Sequence, residues 1–377
     1  MKAGRLPAYS DAEVAADACP AESWREEDES DLPVGHAAHL VQMRKRLILL
    51  SAIVVVAAVS IVVVLSVQRS SDTPSRSNLT RATVGSPIDV GTTPVAVAVG
   101  AGAIWVVDAA RQQLVKVDPR TRAVVGRPRR VGGGPFAVAV GAGAVWVAAG
   151  DGSIRAYDPR TLRPAGATAT VPGANGLAVG GGGVWVSSRR AGTVTRVDAR
   201  TRRADPPIRV GRGPADVTIG LGSVWVANAD GGSVSRIDLR SRRAAAPIAV
   251  GARLVLAVSV GEGGIWVARA GGADAARTQL VRIDPAAGKV VGAPIDVPGA
   301  VPVDIVAGDG IWVTDSGGAL QTASGGGVTR VDPATRRTTG PPLRVGRRPS
   351  AIALGEGAVW VAGEDDGTLT PIAIERR

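Results

Sequence analysis

From about residue 84 to the end of the chain, branched aliphatic residues alternate with small or polar ones in short runs broken by Gly, Pro, Asp and Arg, the pattern of β-strands and tight turns. The runs recur as a set. AVAVGAGAIWVV (96–107), AVAVGAGAVWVA (137–148) and VTIGLGSVWVA (217–227) each read as two strands joined by a glycine turn. A third run ending in Asp follows, as in LVKVDP (114–119), VTRVDA (194–199) and LVRIDP (280–285). After a polar turn comes a fourth, as in PPIRVG (206–211) and APIAVG (246–251). Upstream the pattern is different in kind: residues 47–67, LILLSAIVVVAAVSIVVVLSV, are 21 uncharged positions, apolar on every face, long enough at 1.5 Å per residue to cross a hydrocarbon core of about 30 Å.

A branched residue, Trp and Val recur at Trp105, Trp146, Trp185, Trp225, Trp266, Trp312 and Trp360, spaced 41, 39, 40, 41, 46 and 48 residues apart, a period that belongs to propeller blades. The last repeat stops after its third strand, LTPIAI (369–374), while an orphan fourth-type strand, SPIDVG (86–91), precedes the first repeat. A ring must protect its edges, and this offset lets the beginning of the domain complete the final blade. The expected fold is therefore all-β: a seven-bladed β-propeller of four-stranded antiparallel blades, closed by an N-terminal outer strand and preceded by one transmembrane α-helix. The expected domains are an acidic, mostly disordered tail (1–43), the membrane helix with its basic flank (44–67), a polar linker (68–83) and the propeller (84–377).

The repeat P-x-x-V-x-V-G-x-G-x-V-W-V, followed by a V-D-P-type strand end, resembles bacterial YVTN-type and virginiamycin B lyase-like propellers across about residues 84–377. The resemblance implies the fold. Families of this type include lyases that use a histidine base and a metal, alongside many cell-surface binding or structural proteins.

Composition bears on which of these applies. The only histidines, His36 and His39, and the only cysteine, Cys19, precede the membrane run, so the propeller has no His or Cys for catalysis, and no disulfide can form within the chain. Cys19, His36 and His39 lack a fourth ligand and the usual spacing of a zinc site. No catalytic residue, metal or cofactor is predicted; catalysis by carboxylates alone with a metal, centred on Asp216 and Asp304, is the alternative. Residues 72–377 carry 37 Lys/Arg against 24 Asp/Glu, and residues 1–71 carry 7 against 9. Arg44, Lys45 and Arg46 adjoin the membrane run, which predicts a cytoplasmic N-terminus and a propeller outside a bacterial cell membrane.

The Trp residues, flanked by branched aliphatics, are expected to pack between blades, and Asp118, Asp158, Asp198, Asp238, Asp284 and Asp332 to cap the turns that follow them. Those turns carry Arg120, Arg122, Arg160, Arg163, Arg200, Arg202, Arg203, Arg240, Arg242, Arg243, Arg336 and Arg337. All emerge on one face, the face where the tether enters, which suits an anionic lipid or polymer surface. With one Phe, one Tyr and core-type Trp in the propeller, base stacking is poorly served and nucleic acid is disfavoured as a partner. On the opposite face, repeats five and six are longer, making 271–278 and 316–327 candidate lips of a ligand funnel. Asp216, Asp304, Arg212, Arg253, Arg347 and Arg348 fall in or beside the fourth-to-first loops of that face and are the candidate ligand contacts. The expected function is a membrane-anchored ligand-binding or protein-interaction scaffold, with a sensor role if the acidic tail meets a protein partner.

Overall fold

The computed structural model describes residues 81–251, 254–270, 278–298, 301–315 and 326–375. The acidic tail, the membrane run and residues 68–80 of the expected linker lie outside the described residues. Among the described residues no helix is long and apolar enough to cross a membrane.

The strands form seven antiparallel sheets. The innermost strand of each is the first of its repeat: Pro94–Gly100, Pro135–Gly141, Ala174–Gly180, Pro214–Gly220, Leu254–Gly261, Pro302–Ala307 and Pro349–Gly355. These pack side by side in chain order, with the last against the first, so they surround an axis. The second strand carries the Trp and is buried along almost its whole length, as in Ala103–Asp108 and Ser223–Asn228. A strand shielded on both faces reads as a continuous apolar run, which is why the repeat shows I-W-V or V-W-V here and alternation elsewhere.

All seven indoles are at most 1% exposed. Each packs against the next blade: Trp105 against Val138 and Val145, Trp185 against Val217 and Val224, Trp360 against Ile104 and Val106. The Trp105 ring N–H donates to the carbonyl of Gly100 (3.0 Å), and Trp146 donates to Gly141 (3.0 Å), so the polar edge is satisfied inside the core. Truncating one such ring to Ala costs about 3 to 5 kcal/mol.

Closure follows the expected route with one difference. Ile88–Asp89 pairs with Leu369 and Thr368, and a further strand, Arg81–Val84, pairs with Ile372–Glu375. The closing strand thus starts at Arg81, before the expected end of the linker. Ala82 and Val84 turn inward against the Trp312 cluster while Arg81 stays exposed, an alternation too short to stand out in sequence. Gly85 N–H donates to the Pro371 carbonyl (2.8 Å) across the break between the two pieces. The fully buried Asp108 then accepts from the amides of Thr92 (2.8 Å), Thr93 (3.2 Å) and Arg111 (3.1 Å), fixing the passage from closing strand to first blade.

Candidate functional site

Strand direction alternates within each sheet, so the first-to-second and third-to-fourth turns share one face of the ring and the remaining loops share the other. On the first face, each strand-ending Asp caps its turn: Asp118 Oδ1 accepts from the amides of Arg120 (2.7 Å) and Thr121 (3.0 Å). Asp158, Asp198, Asp238, Asp284 and Asp332 repeat the arrangement. These amide donors hold Asp118, Asp158, Asp198, Asp238 and Asp284 below the ordinary carboxylate range.

Four residues after the Asp the backbone turns left-handed, at Arg122 (φ 55°), Leu162 (59°), Arg202 (63°), Arg242 (57°) and Arg336 (58°). From that position the side chain reaches back to the preceding blade. Arg202 Nη2 donates to Ala165 O (2.8 Å), Arg242 Nη1 meets Asp205 Oδ2 (3.2 Å), and Arg336 donates to Ala293 O. Arg122 lies against Gly85 of the closing strand, its Nη1 3.1 Å from where a Cβ would stand. Arg202, Arg242 and Arg336 are therefore clamps between blades, and Arg122 packs beside the closing strand. Arg120, Arg160, Arg163, Arg200, Arg203, Arg240, Arg243 and Arg337 are exposed on the same face. Val125 and Leu221, 40% and 58% exposed, lie there too.

Asp216 and Asp304 occupy equivalent positions in the inner strands of the fourth and sixth blades. Asp216 accepts from its neighbour Val217 N–H (2.7 Å) and, across the blade boundary, from Val258 N–H (2.9 Å). Asp304 does the same with Ile305 (2.8 Å) and Ile352 (3.0 Å). Both residues are partly buried. Desolvation raises both pKa values, Asp304 to about 7, with the nearby Asp216 charge adding to the shift at Asp304. Among the described residues no group of three or more His, Cys, Asp or Glu is arranged to hold a metal ion. The geometry gives the two aspartates a stitching role between inner strands.

The remaining candidates separate. Arg253 lies outside the described residues, as do 271–277 and 316–325 of the two long loops. Arg347 is paired with Asp366 (Nε to Oδ1, 2.6 Å), and Arg348 with Glu364 (2.8 Å) and Asp365 (3.5 Å). Arg212 is differently placed. It borders a cleft of about 750 Å³ between the third and fourth blades, which it shares with Arg189, Arg190, Arg209 and Asp230. Its Nη2 touches only the Asp230 carbonyl (3.2 Å), because Asp230 binds Arg189 through Oδ1 (2.6 Å). That bond holds the Asp230 carboxyl below its usual range.

Sequence reasoning singled out Arg212 and missed Arg189, Arg190 and Arg209. The first two stand in the second-to-third turn of blade three, a short turn with no insertion to draw the eye, and Arg209 sits in an outer strand. The available signal was the run of like charge in the RR and IRVGR segments, which only folding brings together.

The closed ring of four-stranded blades defines the class, a seven-bladed β-propeller. Among solved structures it is similar to a streptogramin B lyase (15% identity, TM-score 0.64, 80% of this chain and 100% of that chain). It is also similar to virginiamycin B lyase from Staphylococcus aureus (16%, 0.64, 78% and 99%) and to hydrazine synthase of Kuenenia stuttgartiensis (16%, 0.65, 76% and 97%). At this identity the likeness shows the fold alone. No protein-family model and no curated protein matches the chain.

Proposed function

We propose that the chain is a membrane-anchored, extracytoplasmic propeller that serves as a non-catalytic ligand-binding or protein-interaction scaffold. The observation that carries this reading is the unlike use of the two faces. On one, repeated Asp caps and arginine clamps consume the turns in holding the ring together, and the surplus arginines, Val125 and Leu221 project on the same face. That face suits the headgroups of an anionic membrane, each basic residue near such a surface contributing about 1 kcal/mol. The other face bears the cleft, and would point away from the lipid. A virginiamycin B lyase variant with one histidine replaced by alanine is catalytically inactive. Here no histidine follows His39, which favours binding over lyase chemistry.

The native Cys19 makes the topology testable, being the only cysteine and lying upstream of the membrane run. In intact spheroplasts a membrane-impermeant maleimide should leave Cys19 unlabelled and should label an Ala191→Cys chain, whose new thiol stands on an exposed loop of the propeller. Labelling of Cys19 with protection of Ala191→Cys would reverse the orientation and end the proposal.

A further inference from the structure

Taking the propeller as a binding module, we propose that the cleft between the third and fourth blades is a binding site for a flexible oligophosphate, a chain presenting two or more phosphate groups. Four guanidinium groups, from Arg189, Arg190, Arg209 and Arg212, line it against the single carboxylate of Asp230, leaving a charge of +3. Arg189 and Asp230 satisfy each other. Among the described residues the guanidinium groups of Arg190 and Arg209 have no hydrogen-bond or ion-pair partner, and that of Arg212 has only a backbone carbonyl. A surplus of three positive charges in one cleft is self-repelling, a cost that a bound anion removes.

The site is built rather than incidental. Arg212 stands between Gly211 and Gly213, and neither flank admits a side chain: a Cβ at Gly211 would lie 2.4 Å from Asn228 Nδ2, and at Gly213 2.1 Å from Asp230 Oδ2. Gly213 is also left-handed at φ 66°. The loop is therefore drawn down onto the fourth blade's turn, and Arg212 is the side chain it presents. Gly211 N–H is fixed in turn by Ser235 Oγ (3.0 Å).

The lining also selects the ligand class. It contains no aromatic ring, so neither a base nor a sugar face finds a stacking surface. Recognition rests on planar guanidinium forks, which match phosphate oxygens two at a time. A cleft of about 750 Å³ is far larger than one orthophosphate and fits several linked groups.

The test is calorimetric titration of the full chain with sodium tripolyphosphate, with orthophosphate and citrate as separate arms, while released orthophosphate is assayed in the same samples. Saturable one-to-one binding of tripolyphosphate is expected, weakened about a hundredfold or more in Arg190→Gln/Arg209→Gln, because two charge-assisted contacts are lost. Both residues are exposed, so the fold should survive their loss. Arg240→Gln/Arg243→Gln, on the opposite face, should bind as the parent does. Absence of binding, equal loss in the two double variants, or citrate binding as tightly as tripolyphosphate would each overturn the assignment while leaving the scaffold reading standing. Binding accompanied by orthophosphate release would instead keep the cleft and overturn the non-catalytic reading.

Discussion

Two blade boundaries carry nearly the same loop and put it to opposite uses. Between the third and fourth blades the chain reads IRVGRG (208–213), and between the sixth and seventh LRVGRR (343–348). In the second, the facing turn is Glu364-Asp365-Asp366, and Arg347 and Arg348 are both paired. In the first, the facing turn offers Asp230 alone, already bound by Arg189, so the loop's charge is left open to solvent in a cleft. The contrast continues inward. At the axis the sixth and seventh blades are joined through the carboxylate of Asp304, whereas the third and fourth are joined by a neutral group, Asn175 Nδ2 donating to Ala215 O (2.8 Å). An arginine in a loop therefore does not announce a ligand. The turn it meets on the next blade decides whether it is spent on the fold.

The largest way to break the comparison is at the axis. Asp304→Ala removes the acceptor for two amides from different blades and should cost about 2 kcal/mol or more, read as a lowered midpoint in urea unfolding. Asn175→Ala, on an exposed residue with a single such bond, should cost about half as much. An equal loss at the two positions would deny that the boundaries are held differently.

A second difference is in pH. Asp304 titrates at about 7 in the folded chain and near the ordinary carboxylate value, about 4, when unfolded. The folded state then binds the proton more tightly, so this group's contribution to stability is present below pH 4 and is lost as pH rises through 7. Thermal melts of the parent should decline across that window, and Asp304→Asn, less stable overall, should show a flatter profile. A slope unchanged by the substitution would place its origin elsewhere.

Charge exchange between the two turns sharpens the contrast further. Gly231→Asp copies into the fourth blade the acid that Asp366 supplies in the seventh, and should abolish tripolyphosphate binding by pairing Arg212. Glu364→Gln/Asp365→Asn/Asp366→Asn does the reverse, and calorimetric stoichiometry should rise from one site toward two. The smallest expected effect is that of Arg347→Gln alone. It breaks a solvent-exposed pair, so the melting temperature should barely move, and the shift should shrink further at high salt.

Much of the fold was legible because it is encoded locally. The seven Trp, the glycine turns and the six Asp caps each depend on residues within a few positions of one another, and the missing strand at one end could be matched to the surplus strand at the other. The closing strand's first piece, Arg81–Val84, escaped notice because only two of its residues turn inward. Arg202, Arg242 and Arg336 could not be recognised as clamps, since their partners lie on the preceding blade. The axial carboxylates stood out as departures from the repeat. Their second amide donors, Val258 and Ile352, are 42 and 48 residues away.

Sequence alone determined the number of blades, the order of strands within them and the way the ring is completed, because strand alternation and turn chemistry act over a handful of residues. Only the tertiary structure decided which charges remain available. That depends on what each loop meets on a neighbouring turn, as Arg347 meets Asp366 19 residues on and Arg189 meets Asp230 41 residues on, pairings that no local pattern records.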